Sequence, residues 1–143
     1  MADGSVFARV HALVVCDEVA PRPGEEGVFD LRGVRAGLRV ASFPYTHPQL
    51  CVYLQVSGHE GTISARLVAV REATEEEIVY VPIGDIHLRG PLTLIPVWIR
   101  VRDCEFPEPG VYWFQVVVND KLVLERRFHL AEIPGDSNGQ PAG

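Results

Sequence analysis

The chain has 143 residues, 47% of them hydrophobic, and its 13 basic and 19 acidic side chains leave a formal charge of −6. That length suits one domain of roughly 100–200 residues, and the apolar fraction supports a packed core, which excludes wholesale disorder. Phosphate backbones are held mainly by Lys and Arg, and Arg126-Arg127 is the only adjacent basic pair, so neither nucleic acid nor an anionic membrane is expected as a partner.

The first residues lack a basic region, and Arg9 and His11 interrupt the apolar run, so no signal peptide is expected. No apolar run approaches the roughly 20 residues that span a bilayer. From Phe7 to Val15 the sequence alternates with β-branched enrichment, which predicts a strand. Asp17 to Gly27 holds Pro21, Pro23, Gly24 and Gly27 and reads as a loop. Val28 to Val34 is a second strand, and Leu38 to Phe43 a short one after Gly37. The run from Phe43 to Pro48 carries two prolines and reads as a kinked connector. Leu50 to Ser57 alternates strongly, Gly58-His59-Glu60-Gly61 reads as a turn, and Thr62 to Val70 returns, which together predict a hairpin. Glu72 to Glu77 is a solvated acidic loop, Ile78 to Pro82 a short strand, and Gly84 to Gly90 another loop. Leu92 to Val101 is apolar with Pro96 inside it, which predicts an edge position or a bulge. Gly110 to Val118 and Lys121 to Leu130 form the clearest hairpin, joined by Asn119-Asp120.

About eight short strands with turn signals every ten residues or so predict an all-β fold, a two-layer antiparallel β-sandwich of immunoglobulin-like, Greek-key type. One domain is expected over residues 1–130, followed by a tail over 131–143 whose composition cannot bury enough surface to order itself. The best structural motif is Pro109-Gly110-Val111-Tyr112-Trp113-Phe114. A tyrosine opening a late strand after Pro-Gly predicts a corner in which its hydroxyl returns to upstream backbone.

That block, with Phe43-Pro44 followed by His47-Pro48, resembles a family of small bacterial β-sandwich proteins known only as a domain of unknown function. The resemblance covers about Ala8 to Leu130, and the register blurs over Val28 to Ala41. It implies a fold and no activity, so it supplies no catalytic residue.

The chemistry carried by the residues points the same way. The three cysteines, Cys16, Cys51 and Cys104, are odd in number and lack CxxC spacing. They suggest neither a disulfide framework nor a four-cysteine zinc site, but reduced thiols in the cytoplasm. The histidines are scattered, and Asp85 and His87 make the one tight acid–histidine pair, so no metal and no cofactor is expected. A Gly-x-Ser-x-Gly elbow is missing, and Asp17 beside Cys16 and Asp103 beside Cys104 disfavour a thiolate, so no catalytic residue is assigned and the chain is expected not to be an enzyme.

One positive signal remains. With Tyr112, Phe114, Val116 and Val118 inside, Val111, Trp113 and Val117 lie on the opposite face, where a sandwich strand should be wet. Such a face marks either an interaction site or a surface covered by a loop or by arginine stems. The expected function is a non-enzymatic interaction module, self-associating or binding a protein partner through a face made of Val111, Trp113, Val117 and Tyr53. The alternative is a small-molecule or carbohydrate-binding sandwich that uses the rings of the connector from Phe43 to His47.

Overall fold

A computed structural model describes residues 8–134; the expectations placed on Phe7 and on the tail beyond residue 134 lie outside the described residues. The alternating stretches form eight strands, and no helix occurs among the described residues: β1 (Ala8–Cys16), β2 (Glu18–Pro21), β3 (Phe29–Arg32), β4 (Gly37–Val40), β5 (Tyr45–Arg71), β6 (Glu77–Phe106), β7 (Gly110–Val118) and β8 (Lys121–Glu132). The architecture is all-β. Strands β1, β5, β7, β8 and β4 line up in that order in one sheet, with β6 also on β5, while β2 and β3 form a separate hairpin.

The Leu50–Val70 hairpin predicted from the sequence is not formed. Gly58 to Gly61 bends β5 without reversing it, and β5 runs unbroken from Tyr45 to Arg71. Its two halves pair with other strands: β1 borders residues 51–58, β7 borders residues 65–71, and β6 follows the opposite side along nearly the whole length. Between Gly58 and Gly61 the register is irregular, and β5 carries one residue more than β6 there. That insertion exchanges the two faces of a strand whose period is two. Hence Leu50, Val52, Leu54 and Val56 before the bend and Ile63, Ala65, Leu67 and Ala69 after it all enter one core. The predicted loop over Gly84 to Gly90 is likewise part of a strand, β6, for the same reason. The predicted loop after Asp17 contains β2, which pairs with β3 from Glu18↔Arg32 to Pro21↔Phe29.

The expectation of a wholly antiparallel sheet also needs correction. β4 runs parallel to β8, with Gly37 opposite His129 and Val40 opposite Glu132. The chain approaches β8 so closely here that a Cβ on Gly37 would lie 2.1 Å from the His129 carbonyl oxygen. β8 itself continues to Glu132, and the Ile133 N–H donates to the Val40 carbonyl at 2.7 Å, so ordered chain extends past residue 130.

The core gathers Phe106, Tyr112, Phe114 and Phe128, each inaccessible to solvent. Phe106 meets Tyr112 edge-on at 5.1 Å, and Phe114 meets Phe128 edge-on at 5.3 Å, arrangements that match the ring quadrupoles. The predicted β7–β8 hairpin is present: Asn119 and Asp120 take φ of 48° and 68°, the left-handed values that a two-residue turn demands. Arg126 reaches from β8 to β1, its Nε donating to the Leu13 carbonyl at 2.6 Å, and so ties the last long strand to the first. No helix of the described residues is long and apolar enough to cross a membrane.

Candidate functional site

The face expected around Trp113 carries polar cover. β7 turns Tyr112, Phe114, Val116 and Val118 into the core, as its alternation predicts, and leaves Trp113 half-buried on the other side. The indole Nε1–H donates to Glu72 Oε1 at 2.9 Å, and the Arg127 guanidinium lies 5.9 Å from the ring centroid. Arg127 is the cross-strand partner of Trp113 on β8, so its cation sits over the aromatic face by register. Val111 is half-buried and Val117 buried on the same strand. Tyr53 does not belong to this face. It lies in the first half of β5, opposite Val14 on β1 and Trp98 on β6, whereas β7 meets only the second half. The bend in β5 separates the two residues.

Tyr53 belongs instead to a second apolar cluster on the outer side of β1 and β5. There Cys16, Val19, Cys51 and Tyr53 are buried, with Val14, Phe29 and Leu31 packed against them. The β2–β3 hairpin lies over this cluster. Phe29 touches the Tyr53 ring at 6.0 Å and the Trp98 ring at 4.8 Å. Strand β6 pairs only with β5, so this stretch is the edge that Pro96 predicts. Ile95, Val97, Ile99 and Val101 point to the core, which puts the even-numbered residues outside. On that outer side Trp98 is 42% exposed, and in the stretch from 91 to 94, which the irregular register leaves without ladder partners, Leu92 is 96% and Leu94 49% exposed. Arg100 and Arg102 continue the Trp98 side as exposed cations.

Charge is distributed along this face with a direction. Cys51 pairs with Arg100, and Tyr53 with Trp98. The hairpin base, at Glu18 and Arg32, follows Cys16, while Phe29 near its turn reaches Trp98. The hairpin therefore points from the Arg100 end toward the Leu94 end. Exposed Glu25 and Glu26 lie in its turn, with Arg22 bonded to Glu25 at 3.3 Å. The face has an apolar middle, a cationic end and an acidic end. The sequence reading overlooked Trp98; the available signal was a second tryptophan two residues beyond a proline in an edge strand.

The sequence profile of DUF6941, a family of unknown function, matches residues 11–131. The chain belongs to this family. The resemblance to a domain of unknown function, read from the Phe43–Pro48 and Pro-Gly-x-Tyr-x-Phe blocks, is thereby borne out in that respect. No curated protein matches the chain in sequence. Among solved structures, it is similar to the alkylpurine DNA glycosylase AlkC of Pseudomonas fluorescens bound to DNA containing an abasic site analogue. The identity is 10% and the TM-score 0.56, over 87% of this chain and 30% of the glycosylase. It is also similar to a β-glucosidase from Listeria innocua in complex with isofagomine, at 9% identity and a TM-score of 0.50, over 89% of this chain and 16% of the glucosidase. The chain thus spans less than a third of either protein, and at these identities the likeness is one of fold alone.

Several other polar groups of this DUF6941 member are bonded to one another within the fold. Arg35 grips Asp17 through two bonds, Nε to Oδ1 at 2.5 Å and Nη2 to Oδ2 at 2.9 Å, which holds the Asp17 carboxyl below the usual carboxylate range. Burial, with Arg35 nearby, pushes the His47 imidazole below its ordinary value. His47 Nδ1 shares a 2.8 Å hydrogen bond with the Tyr45 hydroxyl, and Phe43 and Tyr45 pack against the main core, so the connector's rings are half-buried. His11 bonds buried Ser57 at 2.7 Å and His87 bonds Thr62 at 2.7 Å. No group of three or more His, Cys, Asp or Glu positioned to hold a metal occurs among the described residues.

Proposed function

We propose that the chain is a non-enzymatic interaction module that self-associates through the outer face of β6. The observation that carries this reading is the exposure of three large apolar side chains, Leu92, Leu94 and Trp98, close together in sequence on an edge strand, with Phe29 of the overlying hairpin against Trp98. Exposed apolar surface of this kind, with a tryptophan at its centre, is the usual anchor of a protein contact. The choice of a second copy as partner rests on charge. A two-fold interface brings each surface point onto its mate's opposite end. Two-fold pairing about the Trp98 region sets Arg100 and Arg102 of one copy against Glu25 and Glu26 of the other, twice over.

Light scattering on the full-length chain across a concentration series tests the proposal. A rise from monomer to dimer mass is expected, and Trp98→Glu lowers the association constant at least about thirtyfold, the loss of a central anchor worth about 2 kcal/mol or more. Trp113→Glu leaves it unchanged. A wild-type chain that stays monomeric at millimolar concentration overturns the reading.

Two finer readings accompany it. The curled sheet is interpreted as two packed layers of immunoglobulin type, supported by the bend that makes β5 serve both β1 and β7, by the shared core, and by the Tyr112 corner. The chain is assigned to the cytoplasm, a placement supported by its three free thiols.

A further inference from the structure

Two of the three thiols face one another. Cys16 ends β1, Cys51 lies in β5, and the two are direct partners in the antiparallel ladder. Opposed residues in such a ladder have Cα atoms about 4.5 or 5.5 Å apart, and their side chains leave the same face. A disulfide accepts Cα separations of about 4.4–6.8 Å, a range that covers both kinds of pair. Both side chains are enclosed, at 0% and 2% exposure, beneath the β2–β3 hairpin. Cys104 lies apart from them, in the main core.

We propose that Cys16 and Cys51 form an oxidation site, a dithiol that a peroxide closes to a cross-strand disulfide between β1 and β5. One sulfur attacks a peroxide oxygen, the O–O bond breaks, and a water leaves with the thiol proton, giving a sulfenic acid. The second thiol then attacks that sulfur; the S–S bond forms, the S–O bond breaks and a second water leaves. Two thiols and one hydrogen peroxide become one disulfide and two waters, the sulfurs losing two electrons that the peroxide oxygens gain.

The surroundings set both the speed and the persistence of the step. Burial, and next the neighbouring Cys51, push the Cys16 thiol up to about 11, so thiolate is scarce at neutral pH. Oxidation then waits on lifting of the β2–β3 hairpin, a local opening rather than global unfolding. The product is uncharged and suits an apolar site where a thiolate does not. The same cover shields the bond from reductants once the hairpin has closed.

The test uses the full-length chain, treated with hydrogen peroxide at about pH 8.5, near the ordinary thiol pKa. Thiol titration after denaturation is expected to fall from three groups per chain to one. Intact mass falls by about 2 Da, for the two hydrogens removed. Peptide mapping finds residue 16 joined to residue 51, and dithiothreitol added in denaturant reverses both changes. The melting temperature of the oxidised chain rises by about 10 °C, since the bond closes a loop of some 35 residues in the unfolded state. Cys104→Ala behaves as wild type, and Cys51→Ala loses the 2 Da change. Should Cys51→Ala fail to fold, the wild-type peptide map decides alone. A bond to Cys104, a bond between chains, or oxygen addition without crosslinking overturns the proposal.

Discussion

Tyr112 shows how one side chain can close a corner of the fold. Its ring is fully buried between β-strands, and its hydroxyl donates to the Glu108 carbonyl at 2.6 Å while accepting from the Glu108 N–H at 3.2 Å. The corner thus gives partners to two backbone groups just upstream of β7. Tyr112→Phe keeps the ring and removes both bonds. Urea denaturation is expected to show a loss of about 1–2 kcal/mol with an unchanged m-value, because packing and exposed area stay the same. This residue was legible in the sequence, since Pro109-Gly110 fixes where the strand opens and the alternation from Tyr112 to Val118 fixes which side enters the core. Trp98 was not legible. Ile95, Val97 and Ile99 are apolar on one parity, and Leu92, Leu94 and Trp98 itself on the other, so the pattern cannot say which row faces water. Only pairing with Leu54, Tyr53 and Val52 assigns the inner row.

At the level of strands, the sequence marks the extended segments well and the connections poorly. Glycine explains much of the difference. Gly58-His59-Glu60-Gly61 carries the composition of a hairpin turn, yet β5 uses it to bend and to exchange its faces. Reversal and bulging draw on the same glycine freedom, and the choice between them depends on which strands lie alongside, which no local window contains. Gly37 is a case of close approach. Its missing Cβ lets β4 lie against β8, where the His129 carbonyl occupies the space a methyl group would need. Backbone cannot yield there as a flexible side chain could. Gly37→Ala is therefore expected to cost about 1–3 kcal/mol, the range for overpacked sites. Hydrogen exchange should report it locally: the amides of His129 and Ile133, which bond to Ala36 and Val40, lose protection, while the centre of β5 keeps its own.

For the whole molecule, the proposed contact face can be tested through its charges without disturbing its apolar centre. The chain is acidic overall, yet Arg100 and Arg102 stand together at one end of the β6 row, and Glu25 and Glu26 stand in the hairpin turn at the other. In a two-fold dimer each copy presents both ends, so every charge contact occurs twice. Arg100→Glu with Arg102→Glu makes both contacts acid against acid. Glu25→Arg with Glu26→Arg makes both base against base. Each variant alone is expected to associate at least about tenfold more weakly than wild type, since like charges opposed at a contact cost energy and exposed pairs contribute about 0.2–1 kcal/mol each. Mixing the two variants restores opposite charges at both contacts of a heterodimer. Sedimentation of the equimolar mixture should recover a dimer at a concentration where each variant alone is monomeric, and added salt should weaken that recovery. Surface solvation alone gives no reason for two individually weakened proteins to assemble only with each other, so recovery in the mixture assigns the contact to these four positions, and its failure removes them from it.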